Sequence, residues 1–205
     1  SMLATGGPML VARANAPYGN VREFVEFARR QTKPLSYGTW GTGSTAHLFG
    51  ELLKRQTGTQ LLHVAYKAEA AVHSDLFGDL LDFAWANPST ARAQTQAGKM
   101  KVLGIAGTRR VSTMPQVPTF TEQGFKGYEA VSWGGLMAPP GTPKAVVDRI
   151  AGEVKQILAD KEIQDKLLTA GAIAAFQSPD QMAQRIKSDY AKWGAVIRDK
   201  GISNE

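Results

Sequence analysis

Apolar positions along this chain fall into short runs and helical stripes that alternate from one end almost to the other. Met9-Leu-Val-Ala-Arg13 reads as a strand, and Asn20 then caps a helix carrying Val21, Phe24, Val25 and Ala28 at helical spacing. Residues 35–37 form a second strand. A helix over 44–56 follows, with Leu48, Phe49, Leu52 and Leu53 on one face. Residues 61–66 are a strand, and 69–77 a helix stopped by Gly78. Residues 81–86 are a strand, Pro88 opens a helix that ends at Gly98, and 101–106 is again a strand. This rhythm predicts a mostly parallel sheet covered by helices on both faces. Such sheets bind ligands beyond the carboxyl ends of their strands, so the loops after Tyr37, Tyr66 and Ala86 share one rim.

After Ala106 the pattern changes. Met114-Pro-Gln-Val-Pro118 is a proline-bearing connection, 119–123 a brief helix, and 131–137 a strand through Trp133. A rigid turn over 138–143 places Pro143 at the first position of a helix. Three helices are expected, at about 143–159, 161–170 and 179–200. The last carries Met182, Ile186, Tyr190, Trp193 and Ile197 as one stripe, and Trp133 is expected in the core beneath these helices. A helix-rich tail attached to one strand is not expected to build its own sheet. It reads as half of a second lobe.

Composition narrows the class without changing this outline. With 205 residues, 43% hydrophobic and 20% charged, the chain suits one large or two small cores. No run approaches the roughly twenty apolar residues that span a bilayer. Residues 1–7 show neither the basic start nor the apolar core of a signal peptide, and Ser1 before Met2 reads as a cloning scar. The absence of cysteine excludes disulfides, thiol catalysis and cysteine-ligated zinc. The net charge is +6, but the basic residues are scattered: Arg29-Arg30, Lys99 and Lys101, Arg109-Arg110, Lys161, Lys166. A nucleic-acid partner is therefore not expected, whereas a mild preference for anionic small molecules fits the same charge. His63 and His73 lie on different elements with no carboxylate at ligand spacing, so no metal is expected.

The candidate chemistry lies between Leu35 and Leu48. Gly38, Gly41 and Gly43 let backbone approach a ligand closely, and Ser44 and Thr45 can cap the following helix. First-turn N–H groups and the positive end of a helix dipole suit a carboxylate or phosphate, here at the backbone of Gly43, Ser44 and Thr45. A plain capped helix start is the rival reading. Gly41-Thr-Gly43-Ser-Thr-Ala46 also satisfies the dinucleotide pattern G-x-G-x-x-A. That pattern needs an acidic residue about twenty positions on, at the end of the next strand. None stands there, since Glu69 lies beyond the strand. No lysine precedes Ser44 as a Walker loop requires, and no nucleophile–base signature is present. An enzyme is not expected, nor any cofactor. A ligand-free interaction domain remains a third reading.

Five strings in order carry a family resemblance. Residues 37–48 resemble Y-A-S-x-G-x-G-S-x-x-H-L, and His63-Val-Ala-Tyr-Lys67 resembles H-V-P-Y-K-G. Ala97-Gly-Lys99 with its strand resembles A-G-K-L-R-x-L. Residues 114–129 resemble L-P-D-V-P-T-x-x-E-x-G-x-x-G-Y-E, and 132–143 resemble S-W-x-G-L-x-A-P-x-G-T-P. Together they are similar to the Bug/TctC family, the extracytoplasmic solute receptors of tripartite tricarboxylate transporters.

The resemblance implies an α/β periplasmic-binding-protein fold of type II, a Venus flytrap that captures small carboxylates in the periplasm for membrane transporter subunits. Family members begin with a signal peptide and the opening strands of lobe one, and on this resemblance the sequence is expected to start after them. The expectation is therefore one complete lobe over 1–106, with hinge strands at both ends, plus the helix-rich return half of the other over 107–205. Such a truncated form is expected to bind weakly or not at all, and to dimerise through its incomplete lobe.

Carried over residue by residue, the resemblance places ligand contacts at Thr39, Gly41, Thr42, Gly43, Ser44, Thr45 and His47, at Ala65, Tyr66 and Lys67, and at Asn87. The chain departs from the family where Ala65 replaces a proline and Ala68 a glycine. Ala86 stands where many members carry an acid, which weakens any case for an amino-acid ligand. Other readings of these residues stay open. His47 can pack or hydrogen-bond rather than touch ligand, Lys67 can be a solvated turn lysine, and Trp85 can be sheet core or cleft wall.

Overall fold

The computed structural model describes residues 1–129 and 132–200. The chain opens with β1 (Met2–Gly6), then β2 (Met9–Arg13), α1 (Val21–Arg29), β3 (Leu35–Thr39) and α2 (Thr45–Thr57). Next come β4 (Leu61–Ala65), α3 (Glu69–Phe77), β5 (Phe83–Ala86), α4 (Pro88–Gln96) and β6 (Met100–Ile105). The remainder is β7 (Ser132–Gly135), α5 (Lys144–Ala159), α6 (Lys161–Thr169), β8 (Ile173–Gln177) and α7 (Pro179–Lys200). These elements form two compact units. One holds residues 7–129, and the other joins 1–6 to 132–200.

The first unit is built on a five-stranded sheet of order β4-β3-β5-β2-β6. Strand β3 pairs parallel with β4 and β5, while β2 runs antiparallel to β5 and β6. The sheet is thus mostly parallel, with one reversed strand near its middle. Met9, Leu10, Val11 and Ala12 of β2 are all fully buried, which explains their unbroken apolar run. Helix α1 starts as expected at Asn20, whose side chain accepts from the Glu23 N–H while Glu23 returns to the Gly19 N–H. Phe24 of α1 packs on Phe83, Phe49 of α2 on Trp85, and Tyr37 stacks on Phe83. Phe83 and Trp85 are two apart on β5, so α1 and α2 cover the same face. Helix α3 covers the other so closely that a Cβ on Gly38 would lie 2.6 Å from Val72 and Leu81.

Residues 107–129 stay with this unit, so it does not divide at the expected boundary after Ala106. The Ile105 N–H donates to the Pro118 carbonyl, and the Phe120 N–H donates to that of Ile105. Phe120 stacks on both Trp85 and Tyr128, with centroids 5.6 and 4.1 Å away. Trp85 is fully buried and belongs to the core. Buried Gln123 ties the segment down: Oε1 accepts from the Val21 N–H, and Nε2 donates to the Leu103 carbonyl. The brief helix expected at 119–123 is a run of turns. Thr119 and Glu122 bond each other's backbone N–H, and Gly124, with φ 93°, follows in a left-handed conformation.

The second unit overturns the expectation that the tail builds no sheet. Strands β7, β1 and β8 form a three-stranded antiparallel sheet with β1 in the middle. Neither β1 nor β8 was expected as a strand; their partners lie far away in sequence. The strand expected over 131–137 spans Ser132–Gly135, and Val131 lies outside the described residues. Trp133 is half-buried rather than core, because its indole N–H donates to the Asp189 carboxylate, which also accepts from Arg185. The three tail helices fall where periodicity placed them. Among the described residues no helix is long and apolar enough to cross a membrane.

Candidate ligand-binding site

Parallel strands β4, β3 and β5 end together, at Ala65, Thr39 and Ala86, and the loop after β3 lies between the other two ends. Gly41 (φ 127°) and Gly43 (φ 75°) take left-handed conformations that side-chain-bearing residues disfavour, which lets the strand turn sharply into α2. Ser44 caps that helix: its Oγ accepts from the His47 N–H, and its carbonyl accepts from Leu48. The Tyr66 N–H donates to the Thr39 carbonyl and ties the end of β4 to the same loop.

Two of the expected anion donors are engaged inside the loop. The Gly43 N–H donates to His47 Nδ1 at 3.0 Å, and the Ser44 N–H to the Gly41 carbonyl at 3.3 Å. What the turn presents outward is exposed Thr42, the half-buried Ser44 hydroxyl and the positive end of the α2 dipole.

His47 stacks on His63 of β4, with ring centroids 3.8 Å apart and planes 11° from parallel. His63 Nε2 lies 2.6 Å from Thr39 Oγ1, and that hydroxyl donates to the Gly41 carbonyl. A carbonyl only accepts, so the hydroxyl proton goes to Gly41 and the imidazole Nε2–H donates to Thr39. Burial pushes His63 down to about 4, with the adjacent His47 ring adding to the effect. Burial lowers His47 as well, Lys54 reinforcing this and Glu51 opposing it. Both rings are neutral near pH 7. Periodicity could not pair them, because they lie on different elements; the register that sets His63 beside Tyr37 brings them together.

The flanking loops differ. Ala65 and Lys67 are exposed, but the Tyr66 hydroxyl turns back to donate to Asp75 at 2.6 Å and is pushed up to about 12 by burial and then by that carboxylate. Ala68 starts α3 without a side-chain cap. On the other side, the Asn87 N–H donates to Glu69 Oε1, and its side-chain amide donates to Oε2. Sequence reasoning set Glu69 aside as lying beyond its strand, yet its carboxylate reaches the end of β5, where Ala86 has none. His73, buried and held below its ordinary value by that burial, lies 3.8 Å from Glu69. No group of three metal-ligating side chains occurs among the described residues.

The model of the tripartite tricarboxylate transporter family receptor matches residues 1–202. The UPF0065 protein of the tcbD-tcbE intergenic region of Pseudomonas sp. strain P51 is 29% identical over 197 residues, covering 96% of this chain and 59% of that protein. The chain spans about three fifths of the length of six curated relatives it matches, from 58% to 62%, and its match to a seventh covers 94% of that protein. Among solved structures, R. palustris Rpa4515 with adipate superposes with a TM-score of 0.88 at 29% identity, covering 98% of this chain and 68% of that one. MatC from Rhodopseudomonas palustris with bound malate gives 0.78 at 26% identity, covering 96% and 68%. The fold is therefore the α/β fold of periplasmic binding proteins. The matched family consists of solute receptors rather than enzymes, which removes the dinucleotide reading of the 41–46 loop. The chain belongs to the family of tripartite tricarboxylate transporter receptors.

Proposed function

We propose that this chain binds a small di- or tricarboxylate at the N-terminus of α2 and serves a membrane tripartite transporter from the periplasm. The observation that carries this is the Gly41–Gly43 turn opening α2 at the carboxyl edge of parallel strands, in a receptor family whose neighbours hold adipate and malate. Thr42 and Ser44 would hydrogen-bond one carboxylate under the α2 dipole, with Thr39, Gly41, Gly43, Thr45 and His47 shaping the turn. Ala65, Tyr66 and Lys67 would flank it on the β4 side and Asn87 on the β5 side. At the end of β5 Ala86 offers no carboxylate, and the Glu69 carboxylate that reaches there accepts from the Asn87 N–H and its side-chain amide.

The relatives carry chain beyond the matched part, and a two-sided grip would draw donors from it. Charge-assisted bonds contribute about 1.5–3 kcal/mol each, and every 1.4 kcal/mol is tenfold in affinity. Calorimetry with adipate and malate is expected to find these 205 residues binding no tighter than about 100 μM. A version extended with the segment its relatives carry should bind in the micromolar range. Micromolar affinity from the 205 residues alone would sink the two-sided grip. A second copy of the chain is the proposed partner for α5, whose Val146, Ile150 and Ile157 are about half exposed on one face. Light scattering at tens of micromolar should report a dimer; a monomer would refute it.

A further inference from the structure

We propose that His47 and His63 act as one positioning unit, a stacked pair of neutral rings that holds the 41–44 turn in its ligand-accepting shape. The inference rests on the carboxylate reading above and goes beyond it by naming what keeps the turn in place. Glycine has the largest conformational freedom of any residue, so two left-handed glycines in one short loop need an external hold. The rings supply it at both glycines. His47 Nδ1 takes the Gly43 N–H, and His63, through the Thr39 hydroxyl, orients the proton that the Gly41 carbonyl accepts. Stacking at 3.8 Å joins the two holds, so neither ring can turn without disturbing the other.

The device works only with neutral rings. A proton on His47 Nδ1 would turn an acceptor into a donor facing the Gly43 N–H, and two charged rings in face contact would repel. The charged and titratable groups facing the pair are Glu51 and Lys54 from α2 and the Tyr37 ring from β3, 5.2 Å from His63. Glu51 favours a charged His47, while burial and Lys54 oppose it. Burial keeps His63 neutral down to about 4. The turn should therefore be intact at neutral pH and loosen as pH falls through the titration of the rings.

Nuclear magnetic resonance on the full chain tests this with two readouts, the exchange protection of the Gly43 amide and the titration of the ring nitrogens. Adipate and malate serve as probes of binding. His47→Phe keeps the stack but removes the acceptor; it should lower Gly43 protection and weaken either probe about tenfold. His47→Asn, whose Oδ1 takes the place of Nδ1 but which gives up the stack, should restore part of both. His63→Phe should act like His47→Phe, and His63→Gln, which keeps a donor toward Thr39 but loses the stack, should rescue it in part. Should the variants fail to fold, the wild-type chain decides: Gly43 protection must fall together with ring protonation. Protection unchanged in folded His47→Phe, or indifferent to ring protonation, would overturn the proposal. If neither acid binds the wild-type chain while Gly43 protection still follows the rings, the carboxylate reading falls and the holding role of the pair stands.

Discussion

The two compact units are made from similar elements but are filled very differently. In residues 7–129, Tyr37, Phe24, Phe49, Phe83, Trp85, Phe120 and Tyr128 are all fully buried against a five-stranded sheet. In the unit formed by 1–6 and 132–200 the sheet has three strands, β8 is half-buried throughout, and α6 buries nothing fully. Helix α5 buries Ala151, Val154 and Leu158 yet leaves Ile157 52% exposed. An aromatic core that fills its space fixes the strand ends that carry the candidate site, and the thinner unit has apolar surface left to offer a partner.

Truncating side chains in each unit is the most direct way to break this comparison. Phe83→Ala removes a ring packed on both Phe24 and Tyr37, and should cost about 3–5 kcal/mol in denaturant unfolding. Ile157→Ala, at a half-exposed site, should stay within about 0.5 kcal/mol. Equal losses at the two sites would mean that the units are filled alike. Gln123→Ala is the next largest and sharpens the boundary, because it strands the buried Val21 N–H and the Leu103 carbonyl. A loss of about 1–3 kcal/mol should appear in the transition of the first unit. A loss confined to the second unit would reassign residues 107–129. A further effect is set by pH, and all three histidines lie in the first unit. An unfolded imidazole takes up its proton near 6.5, whereas folded His63 remains neutral to about 4. Between those values the unfolded chain binds more protons. Stability of the first unit should therefore be complete above about 6.5 and decline as pH falls toward 4. Unfolding curves for the two units that move in parallel over that range would count against it.

Legibility in the sequence followed the same division. In the first unit, strands and helices were readable because one apolar run or stripe corresponds to one element, and Asn20, Ser44 and Pro88 mark helix starts chemically. Strand β1 was not readable: Met-Leu-Ala-Thr-Gly has weak strand character, and only partners beyond position 130 make it one. Strand β8 reads locally as a link between helices for the same reason. At the candidate site the glycine turn and the Ser44 cap were legible, since both are local. The His47–His63 stack and the Glu69–Asn87 pair were not, because each depends on sheet register or on a helix reaching across to a neighbouring strand end.

The placement of β1 has a consequence for how the molecule is assembled. The chain starts one unit, leaves it to complete the whole of the other, and returns only after residue 131. The amino group of Ser1 bonds the Leu136 carbonyl 135 positions away, and Met2 pairs with both Gly135 and Gln177. Closing such long loops is entropically slow, while the inserted unit can complete its own sheet from contacts nearer in the chain. During synthesis residues 1–6 leave the ribosome well before the strands at 132–135 and 173–177 with which they pair. Until β7 and β8 arrive, β1 is a strand with two open edges, and the fidelity of the second unit depends on keeping those edges from other chains.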